Sequence, residues 1–210
     1  MVEQLVRSRK GEARDRLLEA TSQLLTSRDT LEVSLAEIAA AADVNHGLVQ
    51  YYFSGKEGLL LALLRRDADA ALDGLRKLVE FDLPPLKKLE LHIRGVIRTY
   101  FRYPYINGLI NLLQDSSPQN ASALANFFIK PLHEFQKRIL TEARQAGSIR
   151  DVDPVLFYFS TIGACDHIFK SRRILPHAFD IRQIDTGLVR SYSDHVTKLI
   201  LDGLRPERRA

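Results

Sequence analysis

The chain has 210 residues, 45% of them hydrophobic and 27% charged, with a formal net charge of +4 and one cysteine. That length buries a real core as one domain or two small ones, and the composition excludes global disorder. The lone Cys165 excludes an intramolecular disulfide and fits a reducing compartment.

The opening MVEQLVRSRKGEARDR holds no long apolar segment and is not expected to act as a secretory signal. The most apolar long run, residues 155–170, is interrupted by Asp166 and His167 and is too short to span a bilayer. A cytoplasmic protein with no membrane association is therefore expected. Net charge does not by itself point to nucleic acid, because its location matters more. Residues 1–56 are close to neutral, yet Arg7, Arg9, Lys10, Arg14 and Arg16 cluster at the start of the folded region.

Nearly everything reads as helix. Apolar residues at 13, 17, 18, 20, 24 and 25 make the stripe of an amphipathic helix. Ser34 followed by Glu37 is a capping box, which opens a short helix through Ala42 with Leu35, Ile38, Ala39 and Ala42 inward. ADVN makes a turn, and Asn45 is a good N-cap for a second short helix. Val44 and Val49 flank that cap at staple positions. Two short helices joined by a tight turn on a longer one is the helix-turn-helix plan. A three-helix bundle that touches nothing fits the caps and alanines equally well.

A fourth helix is expected from Ser54 or Gly55 to about Phe81, where Pro84 and Pro85 make the sharpest break in the chain. Beyond them the pattern predicts a helix over 85–103, a break at Pro104, a helix to Leu113 and a loop at QDSSPQN. A long helix then runs to Ala146 and stops at Gly147. Asp153 caps the next, with Pro154 in its first turn. The last is expected from about Asp180 to Asp202. No strand is expected.

On a helical wheel, Val49 and Phe53 share an inward face while His46, Gly47, Leu48, Gln50 and Tyr51 point outward or sideways, with Tyr52 beside the inner face. Gln can pair with adenine, His can donate to guanine or to phosphate, and Tyr hydroxyls reach phosphates. Gly47 lets the nucleic acid approach closely. Lys56, at the start of the following helix, is placed to meet a phosphate.

The stretch LAEIAAAADVNHGLVQYYFSGKEGLL resembles the DNA-binding signature of the TetR family of bacterial transcriptional regulators. Ile38, Ala39, Ala42, Val44, Gly47, Val49, Phe53, Lys56, Glu57 and Leu60 match its pattern position by position. Asp43 stands where the family usually has Gly, Asn45 where Ser is common, and Gln50 where Tyr is most frequent. Tyr52 and Gly55 also depart from it. The resemblance implies an all-α chain: a three-helix DNA-binding domain over 1–56 and a larger helical effector-binding and dimerisation domain over 57–210. It implies double-stranded DNA contacts by Ser34, Asn45, His46, Gly47, Leu48, Gln50, Tyr51, Tyr52 and Lys56. Arg7, Arg9 and Lys10, read as an arm preceding the first helix, could add phosphate or minor-groove contacts.

One short helix reads few bases, so a homodimer on a palindromic operator is expected. The resemblance implies an interface built from the last two long helices. The candidates are Phe157, Thr161, Ala164, Ile168, Leu188, Tyr192, Val196 and Leu199. It also implies a small-molecule effector of unspecified identity, surrounded by helices carrying Tyr100, Tyr103, Asn107, Asn111, His133, Gln136, Asp166 and His167. Aromatics with a few polar groups are what such a pocket needs.

Cys165, Asp166 and His167 are adjacent on a helix and point about 100° apart, so they cannot clasp one ion. No nucleophile-plus-base spacing, P-loop or zinc motif occurs, so neither an enzyme, a metal site nor a cofactor is expected. The alternative is a DNA-binding protein that senses no ligand and contacts a protein partner through its C-terminal domain.

Overall fold

The computed structural model describes residues 2–28 and 30–206, with side chains described from Gly11 onward. Every regular element among them is helical. In chain order these are α1 (Val2–Arg28), α2 (Leu35–Ala41), α3 (Gly47–Phe53), α4 (Lys56–Glu80), α5 (Pro85–Arg102), α6 (Ile106–Ser116) and α7 (Pro118–Leu124). A π-helical turn (Ala125–Ile129) leads into α8 (Lys130–Gln145), followed by α9 (Pro154–Lys170), α10 (Leu175–Ala178) and α11 (Thr186–Gly203).

Three expectations of the sequence are corrected. The backbone is helical from Val2, so Arg7, Arg9 and Lys10 belong to α1 and do not precede it; their side chains lie outside the described residues. The stretch QDSSPQN is not a loop. Pro118 takes the first position of α7, where a missing N–H costs nothing, and Ser117 Oγ accepts from Asn120 N at 3.1 Å. Only Ser117 interrupts two helices that pack on each other. The last long helix begins at Thr186 rather than near residue 180. Asp180 has φ +55°, which no α-helix accommodates, and Asp185 is the cap, its Oδ1 accepting from Leu188 N at 2.8 Å.

The other stops and starts follow their local chemistry. Asp153 Oδ1 accepts from Val155 and Leu156 N at 2.7 and 3.0 Å, with Pro154 in the first turn. Gly147, at φ +65°, lets the chain turn left-handed after α8. The π-helical turn ends two residues before Pro131, whose ring nitrogen cannot continue the i to i−4 ladder.

Packing divides the chain into two units: residues 1–68 with 103–124, and 69–102 with 125–210. This partition differs from a cut after residue 56, because α6 and α7 pack with the N-terminal helices. In the first unit Leu17, Leu18, Leu25, Ile38, Leu59, Leu60, Leu63 and Leu64 are fully enclosed. In the second, α5 packs against α8, α9 and α11. Its core gathers Val79, Leu89, Ile139, Leu140, Ala143, Ile149, Phe157 and Leu204. Lys88 is buried there, its ammonium donating to Val79 O (2.9 Å) and Glu142 Oε2 (3.2 Å). A buried cation so paired is tolerated, and this one also satisfies a carbonyl left open near the end of α4.

Candidate nucleic-acid interface

The short helices α2 and α3 are fixed by contacts that leave one face of α3 outside. At the start of α2, Ser34 N donates to Glu37 Oε2 at 2.8 Å while Glu37 N donates to Ser34 Oγ at 3.2 Å, the reciprocal box that the spacing predicts. Arg28 at the end of α1 reaches the same carboxylate at 2.5 Å. The Arg28 hydrogen bond, followed by those from Ser34, holds the Glu37 carboxyl well below its usual range, at about 2. The Ser34 hydroxyl also donates to Glu37, so it is largely committed to the cap.

Asp43 sits in the turn with φ +51°, a left-handed conformation that Gly, Asn and Asp adopt most readily. This accounts physically for a position where the family usually has glycine. Arg16 on α1 donates to the Asp43 carbonyl at 3.4 Å. Asn45 does not occupy the cap position proper, which falls on His46. It acts from one residue earlier, with Oδ1 accepting from Gly47 N at 2.8 Å.

Val49 and Phe53 are the buried anchors of α3, and the Arg14 guanidinium lies 5.4 Å from the centroid of the Phe53 ring. Asn45, His46, Gly47, Gln50 and Tyr51 are exposed, Tyr51 by 64%, while Leu48, Tyr52 and Lys56 are half-buried. The rings of Tyr51 and Tyr52 meet edge to face with centroids 5.0 Å apart, which restrains both. Outer face and inner face are thus divided as the helical wheel predicts.

Sequence reasoning missed Gly58. A Cβ there would fall 1.8 Å from the Phe53 carbonyl oxygen, so the first turn of α4 rests directly on the end of α3. Ser54 (φ +58°) and Gly55 (φ +114°) turn the chain between them. The signal was available, since Gly is unfavourable inside a helix unless a neighbour comes too close for a side chain.

Two family models match the chain. "Bacterial regulatory proteins, tetR family" covers residues 17–63, and "Tetracyclin repressor-like, C-terminal domain" covers 82–208. The chain belongs to the TetR family. As a TetR-family protein it is a transcriptional regulator whose helix-turn-helix binds DNA. RutR of Escherichia coli K12 is 24% identical over 173 residues, 82% of this chain and 81% of that one. BetI 2 of Chromohalobacter salexigens is 31% identical over 98 residues, a match that spans 45% of each chain. Among solved structures, FadR of Bacillus subtilis in complex with stearoyl-CoA aligns at TM-score 0.71 and 19% identity, over 90% of this chain and 98% of that one. AibR in complex with isovaleryl coenzyme A and operator DNA aligns at 0.68 and 22%, over 89% and 97%. At these identities the solved structures establish the TetR fold.

The residues expected around an effector fall in both packing units. Tyr103, Asn107 and Asn111 are in the first, Asn111 exposed. Tyr100, His133, Gln136 and Asp166 are in the second, as is His167, which is exposed. In the second unit, four of these five meet side chains that sequence reasoning did not place around an effector, namely His92, Tyr158 and Cys165. Gln136 Nε2 lies 2.9 Å from His92 Nε2. An amide nitrogen only donates, so His92 Nε2 accepts and its proton sits on Nδ1. Burial pushes His92 down to about 4, keeping the ring neutral. Its Nδ1, Gln136 Oε1 and Thr161 Oγ1 are buried without a partner among the described residues. Tyr100 meets Phe169, and His133 meets Tyr158 edge to face. Burial, aided by nearby Asp166, raises the Tyr100 hydroxyl and pushes the Cys165 thiol up to about 12, so Cys165 is no nucleophile. Asp166 pairs with Lys170 at 2.8 Å. His92 was legible on the wheel, since it shares a helical stripe with Leu89, Ile93 and Tyr100.

The residues expected at a dimer interface differ in their exposure. Phe157, Thr161 and Val196 are buried inside their own chain. Ala164, Ile168, Leu188 and Tyr192 are half-buried, and the Tyr192 hydroxyl donates to the Ala164 carbonyl. Leu199 is 62% exposed. The apolar surface of α9 lies instead at Val155, Leu156 and Phe159.

Proposed function

We propose that this chain is a dimeric, effector-responsive transcriptional repressor that reads a palindromic operator with α3. The observation that carries the reading is the division of α3. Val49 and Phe53 hold its inner face while His46, Gln50 and Tyr51 are exposed on its outer face, with half-buried Lys56 opening the next helix. Gln50 and His46 are the base readers, and Tyr51, Tyr52 and Lys56 engage phosphates. Asn45, Gly47 and Leu48 set the closeness of approach, and Ser34 holds the helix that crosses the backbone.

A second copy docks through the exposed apolar residues of α9, namely Val155, Leu156 and Phe159, with Leu199 of α11. Exposed apolar residues clustered in this way mark an association face. The buried polar atoms without partners around His92, Gln136 and Thr161 favour a ligand-sensing interior over a filled one. The acyl-coenzyme A ligands of FadR and AibR make acyl-coenzyme A thioesters the first effector class to test. Such a ligand regulates only by binding the two arrangements of the protein with different affinity.

The test is fluorescence anisotropy with the duplex upstream of the protein's own coding sequence, against a random duplex of equal length. Sequence-selective binding that weakens steeply with salt supports the reading. Equal affinity for both duplexes overturns it.

A further inference from the structure

A groove of about 270 Å³ lies within the second unit between α5 and α11. One wall is Arg94, Ile97, Arg98 and Phe101, and the other is Thr186, Val189, Arg190 and Ser193. Each set is spaced to share one helical face, so two facing stripes build the groove. No acid lines it. Arg94 is neutralised, donating to Glu90 at 3.1 Å and Asp194 at 2.6 Å. Arg98 and Arg190 come from opposite walls, are exposed, and have no acidic partner among the described residues. Two arginines without acidic partners lining one hollow make it attractive to an anion. Half-buried Val189 and the 36% exposed Phe101 give the groove apolar surface, with Ile97 packed beneath and Thr186 among the lining residues.

We infer that this groove binds the phosphate-bearing end of a small organic molecule, with Arg98 and Arg190 on the phosphate and Val189 and Phe101 against the apolar portion. Arginine forks match phosphate oxygens in pairs, which a point charge would not. The volume lies just under the usual range for small-molecule sites, about 300–1,000 Å³, and so suits a fragment of a metabolite rather than a chain. The groove is separate from the proposed dimer face. Leu199 is nine residues from Arg190, about two and a half turns, and points to the opposite side of α11. The inference stands or falls independently of the effector reading.

Isothermal titration of the full-length protein, in the absence of DNA, with phenyl phosphate, inorganic phosphate and phenol tests it. Phenyl phosphate is expected to bind with one site per chain and more tightly than either fragment. Arg98→Ala/Arg190→Ala is expected to weaken it by roughly tenfold or more, while helicity and operator affinity stay unchanged. Arg98→Lys/Arg190→Lys, which keeps charge without the fork, is expected to fall between. Binding that survives in the alanine double variant, or inorganic phosphate binding as well as phenyl phosphate, overturns the inference. So does an absence of binding. Coenzyme A as a competitor separates two sources of the same chemistry: displacement makes the groove the seat of a coenzyme A end, whereas binding without displacement makes it the seat of another organic phosphate.

Discussion

The Tyr105 hydroxyl donates to Asp67 Oδ2 at 2.7 Å, and both side chains are buried. Ser22 Oγ stands 2.7 Å from the same hydroxyl, and Arg66 holds the other carboxylate oxygen at 2.9 Å. One carboxylate on α4 thus joins α1 to the residue that precedes α6. The chain leaves the first packing unit after Ala68 and re-enters it at Tyr103, so the network ties together the two crossings. Burial foremost, with the neighbouring carboxylate, raises the Tyr105 hydroxyl above its ordinary value, so it stays a donor. Tyr105→Phe leaves one carboxylate oxygen and the Ser22 hydroxyl unpaired, a loss of about 1–3 kcal/mol in urea unfolding. An unchanged midpoint would show that the network contributes nothing.

Gly58→Ala is expected to be far more damaging than its chemistry suggests. The added carbon lands on the Phe53 carbonyl, a backbone atom that cannot swing aside. Forced displacement of this sort costs about 1–3 kcal/mol, and it shifts α3 relative to α4, so operator affinity should drop along with stability. Gly74→Ala on the same helix is the control. Nothing lies within 4 Å of its Cβ, and it should stabilise by up to about 1 kcal/mol through helix propensity. Thermal melts and anisotropy on the two variants decide the matter.

Gln50 and Lys56 should separate reading from holding. Lys56→Ala is expected to weaken all duplexes alike and to flatten the plot of log affinity against log salt by about one unit. Gln50→Ala is expected to cost about 1–3 kcal/mol on the operator while barely affecting random duplex, and to relax preference at one position of each half-site. If the Gln50 variant loses affinity uniformly instead, Gln50 contacts phosphate and the base readers are elsewhere on α3.

The helix-turn-helix was legible because its signals are local. The Ser34–Glu37 box and the Val49–Phe53 spacing each span a few residues, and the structure places them as the pattern predicts. What failed was non-local. Phe157 and Thr161 looked as suitable for an interface as Leu156 and Phe159, because α9 is apolar nearly all round and nothing in the sequence tells its core side from its surface. Gly58 depended on a carbonyl of the preceding helix, and the Tyr105–Asp67 bond joins residues 38 apart. The start of α11 was misplaced because Ile181 and Ile184 continue the helical period, whereas the Asp185 cap and the positive φ of Asp180 override it.

His92 makes stability depend on pH in a definite window. Its ring is neutral in the folded protein, with its folded pKa lowered from 6.5 to about 4 by burial. In the unfolded chain it titrates near its ordinary value, so on acidification the unfolded state takes up the proton first. The stabilisation is therefore complete above about pH 6.5, declines as pH falls through the interval to about 4, and is flat below. A difference of this size amounts to about 3 kcal/mol across the window. Glu37 acts lower, between its ordinary range and about 2, and being exposed it contributes less. His92→Gln keeps a group able to hydrogen-bond Gln136 but does not titrate, so the variant should lose the decline between pH 6.5 and 4 and retain the one below it. Urea unfolding at half-unit steps of pH reads both. A decline in the variant as steep as in the parent would assign the effect to another group and would mean that His92 is not the buried neutral base the structure makes it.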